Sequence, residues 1–234
     1  MSEDCGSIIE SGAEKRCAVL YVHGLFMTGR EGFQFSRWLR RHGIRCERFV
    51  YSSRREAPLQ VADRLAARLA AEPGLNLVGH SLGGVIVARA LAHSPEWRGR
   101  AVLLGAPLAG SDTARRAARL PGGRRLLGLG GRFLAGELAP TSASQRVMVI
   151  AGVRNIGIGR LIGACAPPGD GQVRLAETRL AGAVHRLARR GHVALLFDRY
   201  VVAACAAFIR DGRSCPAHRR GGAVRRADQA PRVD

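Results

Sequence analysis

The stretch Gly79-His80-Ser81-Leu82-Gly83 constrains this chain more than any other. It reads G-x-S-x-G, with the apolar run Leu75-Asn76-Leu77-Val78 before it and Gly84-Val85-Ile86-Val87-Ala88-Arg89-Ala90-Leu91-Ala92 after it. The first run reads as a strand and the second as a helix, so Ser81 falls on a sharp strand-to-helix turn, the setting of a nucleophile elbow. A serine on so tight a turn is strained, and bulky neighbours would collide with the strand and the helix; glycine on both sides relieves this. The turn also presents the hydroxyl at a helix N-terminus, where free N–H groups and the helix dipole favour negative charge. The five-residue pattern alone arises easily by chance in a chain with 30 glycines. Its flanks are what give it meaning.

The rest of the chain alternates in the same way. Residues 17–22 form a continuous apolar run ending in His23-Gly24, as suits a central strand covered on both faces. Residues 31–42 read as a helix with Phe33, Phe35, Trp38 and Leu39 on its apolar side, and residues 44–51 as a second strand. Leu59, Val61, Ala62, Leu65 and Leu69 recur at helical spacing over 57–72, where Pro73-Gly74 ends the helix. Residues 101–105 and 146–151 are further strands, and 194–209 a final helix. This alternation predicts an α/β fold: a mostly parallel sheet with helices on both faces.

Three segments stand outside the pattern. Residues 1–16 are a polar, poorly ordered lead-in to a domain spanning 17–210. Residues 106–145 are rich in Gly, Arg and Leu and broken by Pro107, Pro121 and Pro140. They suit either a small helical lid or an ordinary crossover helix with loops. Residues 211–234 read as a basic, flexible tail.

At 234 residues and 47% hydrophobic, the chain is long enough for one α/β domain with a substantial core. No apolar run approaches the roughly 18 residues that span a bilayer. The opening Met1-Ser2-Glu3-Asp4-Cys5-Gly6 lacks the basic-then-apolar order of a signal peptide, so a cytoplasmic location is expected. Cysteines are reduced in that compartment. Cys5, Cys17, Cys46, Cys165, Cys205 and Cys215 have no C-x-x-C spacing, which argues against a zinc site.

The net charge of +19 invites a nucleic-acid reading, but Lys15 is the only lysine and the arginines spread along the whole chain. Such a bias reads as composition rather than as a specific nucleic-acid surface. Two concentrations remain: Arg115, Arg116, Arg119, Arg124, Arg125 and Arg132 in one stretch, and Arg213, Arg219, Arg220, Arg225, Arg226 and Arg232 in the tail. Solvated surface charge accounts for them; peripheral contact with an anionic membrane surface is the functional alternative.

A serine hydroxyl is a poor nucleophile at neutral pH and needs a base, a group to orient that base, and donors for the oxyanion. His192, in Arg190-Gly191-His192-Val193, sits where a loop enters the final helix and is the expected base. His185 competes with it, while His218 lies in the tail. The acids between Ser81 and His192 are Glu96, Asp112, Glu137, Asp170 and Glu177. Position favours Asp170, in the turn-rich Pro167-Pro168-Gly169-Asp170-Gly171-Gln172-Val173, over Asp112 and Glu177, although D-G is also an ordinary turn pair. The oxyanion donors would be the backbone N–H groups of Leu82 and, after His23-Gly24, of Leu25. His23 and His80 read as histidines that hold their loops.

Together these pieces resemble the α/β-hydrolase superfamily, lipase/esterase-like branch. The resemblance rests on Val22-His23-Gly24-Leu25, Gly79-His80-Ser81-Leu82-Gly83-Gly84, Gly105-Ala106-Pro107-Leu108-Ala109-Gly110-Ser111, Asp170-Gly171-Gln172-Val173 and Gly191-His192, and spans roughly residues 17–210. The stretch from Asp170 to His192 is similar to the C-terminal part of bacterial lipase-like and GPI-inositol-deacylase-like hydrolases. The resemblance implies a Ser-His-Asp triad in the order Ser81, Asp170, His192, an acyl-enzyme intermediate and no cofactor. The chain departs from larger members in lacking their first strands and room for a large cap domain. The expected function is hydrolysis of a small-molecule or lipid carboxylic ester. Acyl transfer or thioester hydrolysis on the same triad, and a non-catalytic binding protein that keeps the fold, are the alternatives.

Overall fold

A computed structural model of the chain describes residues 18–136, 145–212 and 224–226. Its frame is one seven-stranded sheet in the order β2-β1-β3-β4-β5-β6-β7. The strands are β1 (Ala18–Val22), β2 (Arg45–Arg48), β3 (Asn76–His80), β4 (Ala101–Leu104), β5 (Val147–Gly152), β6 (Val184–Ala188) and β7 (Val224–Arg226). The first six pair in parallel, and β7 closes the edge antiparallel to β6. The helices are α1 (Phe33–Arg41), α2 (Pro58–Ala71), α3 (Leu82–Ala92), α4 (Asp112–Arg119), α5 (Gly123–Ala135), α6 (Ile158–Leu161) and α7 (Arg199–Asp211).

The unbroken apolar strands have a simple cause. Successive side chains of a strand point to opposite faces, and here both faces are covered. Leu20 and Val22 of β1, Ala101 and Leu103 of β4, and Val147 and Val149 of β5 pack with α2 and α3 on one side. Val19 and Tyr21, Val102 and Leu104, and Met148 and Ile150 pack with α1 and α7 on the other. Leu65, Leu77, Ile86 and Leu103 are fully buried, and each such side chain contributes about 1.5–3 kcal/mol relative to exposure.

Strand order reverses between β1 and β3, and open α/β sheets place ligands at such a switch point, beyond the carboxyl ends of the strands. The register pairs Val22 with Gly79, so the loop after β1 and the turn after β3 leave the sheet side by side.

The structure departs from the sequence reading at the final helix and in the tail, and gives definite form to two further segments. The final helix is two pieces: a 3-10 turn over Val193–Phe197, then α7. Asp198 separates them, because its carboxylate caps α7 through the N–H groups of Tyr200 and Val201. β6 holds His185, the competing base candidate, in a segment that the sequence pattern assigns to no element. Excursion 106–145 contains two helices, α4 and α5, and its residues 137–144 lie outside the described residues. Within the expected tail, residues 224–226 add a strand to the sheet. The expected lead-in 1–16, His218 and the arginines at 213, 219, 220 and 232 also lie outside the described residues.

Candidate active site

Ser81 stands between β3 and α3 with φ 54° and ψ −123°, a left-handed backbone that non-glycine residues rarely adopt. The glycines around it allow the turn. A Cβ on Gly83 would lie 2.1 Å from the Val22 carbonyl oxygen, so only glycine lets α3 start this close to β1. Leu82 opens α3, and the first residue of a helix has no intrahelical partner for its N–H. Gly24 packs against the same turn, since a Cβ there would sit 3.1 Å from the Ser81 Cβ. Leu25, the next residue, lines the cavity that Ser81 faces.

Asp170 and His192 meet. The Asp170 Oδ2 lies 2.7 Å from His192 Nδ1, with both side chains buried. The other carboxylate oxygen accepts the N–H groups of Gln172 at 2.9 Å and Val173 at 2.7 Å. The His192 N–H donates to the Asp170 carbonyl at 3.0 Å. The two residues are therefore tied through backbone as well as side chain. With Nδ1 donating to the carboxylate, the Nε2 lone pair of a neutral His192 is left free.

The other candidates are engaged elsewhere. His185 places Nε2 against the Leu180 backbone. Glu177 accepts the Asp112 N–H at 2.7 Å and the Arg174 N–H at 2.8 Å, and burial pushes its carboxyl above the usual range. Asp112 pairs with Arg115 and Arg174. This network, with Thr113 Oγ donating to the Gln172 carbonyl, fastens the loop that carries Asp170 to the start of α4.

His23 stacks on Tyr51 with ring centroids 4.2 Å apart, and the Tyr51 hydroxyl donates to the His23 carbonyl at 2.6 Å. His80 reaches further than sequence reading placed it. Its Nε2 lies 3.2 Å from the His192 carbonyl oxygen, 112 residues away. Because that partner only accepts, Nε2 carries the proton and Nδ1 holds a lone pair. That Nδ1 is buried with no hydrogen-bond partner. Burial first, and the neighbouring His192 second, push the His80 imidazole down to about 3.

Two further residues shape the site. Gly105 follows β4 directly, with φ 55°, and a Cβ on it would meet Asp170 Oδ2 at 3.0 Å and His192 Nδ1 at 3.1 Å. Gly152 at the end of β5 leaves space for Asp170, whose Cβ would be 2.6 Å from a Cβ there. Both follow apolar strands, the one sequence signal that could have singled them out.

Ser81, His80 and His192 line a cavity of about 640 Å³. Leu25, Phe26 and Met27 form one part of its wall. Ala117, Leu120, Leu126 and Leu127 of the α4–α5 segment form another. The excursion thus stands over the serine. The cavity's size is that of a site for a small organic ligand. Among the described residues no cluster of His, Cys, Asp and Glu could hold a metal ion, and no helix is long and apolar enough to cross a membrane.

No family model matches the sequence, and no curated protein does. Solved structures do match. A lipase of Bacillus licheniformis in its mature form superposes with a TM-score of 0.57 at 19% identity, covering 82% of this chain and 91% of that one. An alpha/beta hydrolase fold protein of Nakamurella multipartita gives 0.57 at 18%, covering 84% and 93%. A carboxylesterase of Bacillus subtilis gives 0.53 at 14%, covering 87% and 86%. At such identities the likeness shows the fold, and the chain has the α/β-hydrolase fold.

Proposed function

We propose that this protein is a serine hydrolase that cleaves carboxylic esters through a Ser81–His192–Asp170 triad. One observation carries the reading: the buried Asp170–His192 pair and the strained Ser81 turn converge on one largely apolar cavity. Asp170 holds the imidazole with Nδ1 protonated, so Nε2 takes the Ser81 proton as Oγ attacks the acyl carbonyl. The N–H groups of Leu82 and Leu25 receive the oxyanion. The alcohol leaves with the proton from His192, and water then attacks the acyl-enzyme by the same route. The chemistry needs no cofactor. The apolar walls suit an acyl chain. The described cysteines, Cys46, Cys165 and Cys205, are free, as suits the cytoplasm.

Hydrolysis of p-nitrophenyl esters by the wild type and Ser81→Ala tests this, together with labelling by a fluorophosphonate. Turnover and labelling that both depend on Ser81 are expected. Equal rates in the two proteins would remove Ser81 from the mechanism.

A further inference from the structure

A second cleft, of about 660 Å³, adjoins the cavity and shares Phe26 and Met27 with it. Its other walls bring together Arg54 and Arg55, from the loop after β2, and Arg125, from α5. In the sequence Arg125 belongs to the arginine-rich stretch 115–132, while Arg54 and Arg55 lie about 70 residues before it. The fold places all three around one space.

The cleft is built rather than incidental. The 51–55 loop is anchored at Tyr51 by its stacking on His23. α5 is docked on that loop through the Leu129 N–H, which donates to the Arg54 carbonyl at 2.8 Å. The approach is so close that a Cβ on Gly130 would lie 2.1 Å from the Ser53 carbonyl oxygen. Arg125 is thereby set across the cleft from the loop's two arginines. The Arg54 guanidinium stands 5.8 Å from the centroid of the Phe26 ring, the wall common to both spaces.

The neighbouring acids are already committed. Glu56 pairs with Arg64 and accepts the Ser52 N–H. Glu31 accepts the N–H groups of Thr28 and Gly29. Among the described residues none of the three cleft arginines has an ion-pair partner. Three arginines lining one cleft focus positive potential there, an arrangement that an anion relieves. Guanidinium forks match the oxygens of phosphate, and three of them offset a dianion.

We infer that Arg54, Arg55 and Arg125 form an anion subsite for a phosphate-type group on the alcohol side of the ester. The side follows from the division of the space. The apolar cavity takes the acyl chain, and the open, charged cleft beyond Phe26 receives what leaves. This rests on the ester-hydrolase reading above, and the test separates the two.

Matched probes are 1-butyrylglycerol and 1-butyrylglycerol 3-phosphate for turnover, and the non-hydrolysable 1-O-butylglycerol 3-phosphate for binding by calorimetry. The wild type should prefer the phosphorylated ester in kcat/KM by about tenfold or more, the scale of one charge-assisted contact. Arg54→Ala/Arg125→Ala, both at exposed positions, should bring that ratio close to one and weaken the ether phosphate by about tenfold or more. Arg125→Glu should invert the preference. Thermal melts of each variant establish that it folds. Vesicles of phosphatidylglycerol and of phosphatidylcholine locate the source of the anion. Salt-sensitive retention on the first alone, lost in the double variant, assigns a lipid headgroup. Binding of the soluble phosphate alone assigns a free phosphoester. If the ether phosphate binds and the variant loses it while neither these esters nor p-nitrophenyl esters are turned over, the subsite stands and the hydrolase reading falls. Equal turnover of both esters, with ether-phosphate binding absent or unchanged by the substitutions, overturns the subsite and leaves the hydrolase reading intact.

Discussion

Asp170 Oδ2 lies 2.7 Å from His192 Nδ1, and the carboxylate's other oxygen is held by two backbone N–H groups of its own loop. The carboxylate is thus fixed before it fixes the imidazole. Asp170→Asn keeps the shape but offers an amide donor where Nδ1–H needs an acceptor, which favours the wrong tautomer. The expected result is a fall in kcat of about 10²–10⁴-fold with a small change in KM. Steady-state hydrolysis of a p-nitrophenyl ester reads it. A kcat within threefold of wild type would mean that the pair does no chemistry.

Gly105 supports the same pair from beneath, and its φ of 55° already disfavours a side chain. Gly105→Ala therefore acts twice. The left-handed backbone costs about 1–2 kcal/mol, which lowers Tm by about 2–8 °C in a domain of this size. The new methyl group also presses on Asp170 Oδ2 and His192 Nδ1. Activity should fall by about tenfold or more, the effect of a displaced catalytic group, at temperatures where the variant is fully folded. A loss of Tm with full activity would show that the pair tolerates the push.

The contrast between what local pattern revealed and what it hid has a physical basis. β1, β4 and β5 were legible because strands buried on both faces must be apolar throughout, and β3 because its short apolar run leads straight into the serine turn. The Ser81 turn was legible because its glycines admit so little else. β6 was not, since Val184-His185-Arg186-Leu187-Ala188 mixes polar and apolar residues on strand faces only partly buried. The break before α7 depends on Asp198, whose capping role shows only once the 3-10 turn is known to end there. Contacts between distant residues, such as His80 with the His192 carbonyl or the Leu129 N–H with the Arg54 carbonyl, carry no local signal. They follow from strand order, which places loops from different parts of the chain at one end of the sheet.

The α4–α5 segment should set acyl-chain preference. Ala117 and Leu127 line the cavity together with Ser81, and the cavity is closed on that side by their helices. Ala117→Trp fills space that a longer chain would occupy. Since one methylene in an apolar pocket is worth about 1–3 kcal/mol, the ratio of octanoate to butyrate kcat/KM should drop by about tenfold or more. A p-nitrophenyl ester series reads the ratio directly. An unchanged chain-length profile would place the acyl group elsewhere.

His80 should make stability sensitive to acid. Its imidazole is fully buried and held down at about 3, against an ordinary value of 6.5. Between those values the unfolded chain binds one proton more than the native protein, so stability rises with pH in that window. The contribution is fully present above pH 6.5 and is lost as pH falls towards 3. The slope is about 1.4 kcal/mol per pH unit. His80→Gln keeps a donor for the His192 carbonyl but has no group to titrate. At pH 7 the variant should be the less stable protein, through poorer packing. Its deficit should then shrink by about 0.7 kcal/mol from pH 7 to 6 and by about 1.2 kcal/mol more from pH 6 to 5, approaching the full slope below that, as urea unfolding is repeated down the series. Carboxylates that weaken both proteins in acid cancel in this difference. Parallel stability curves for the two proteins would show that His80 is not kept neutral by the fold.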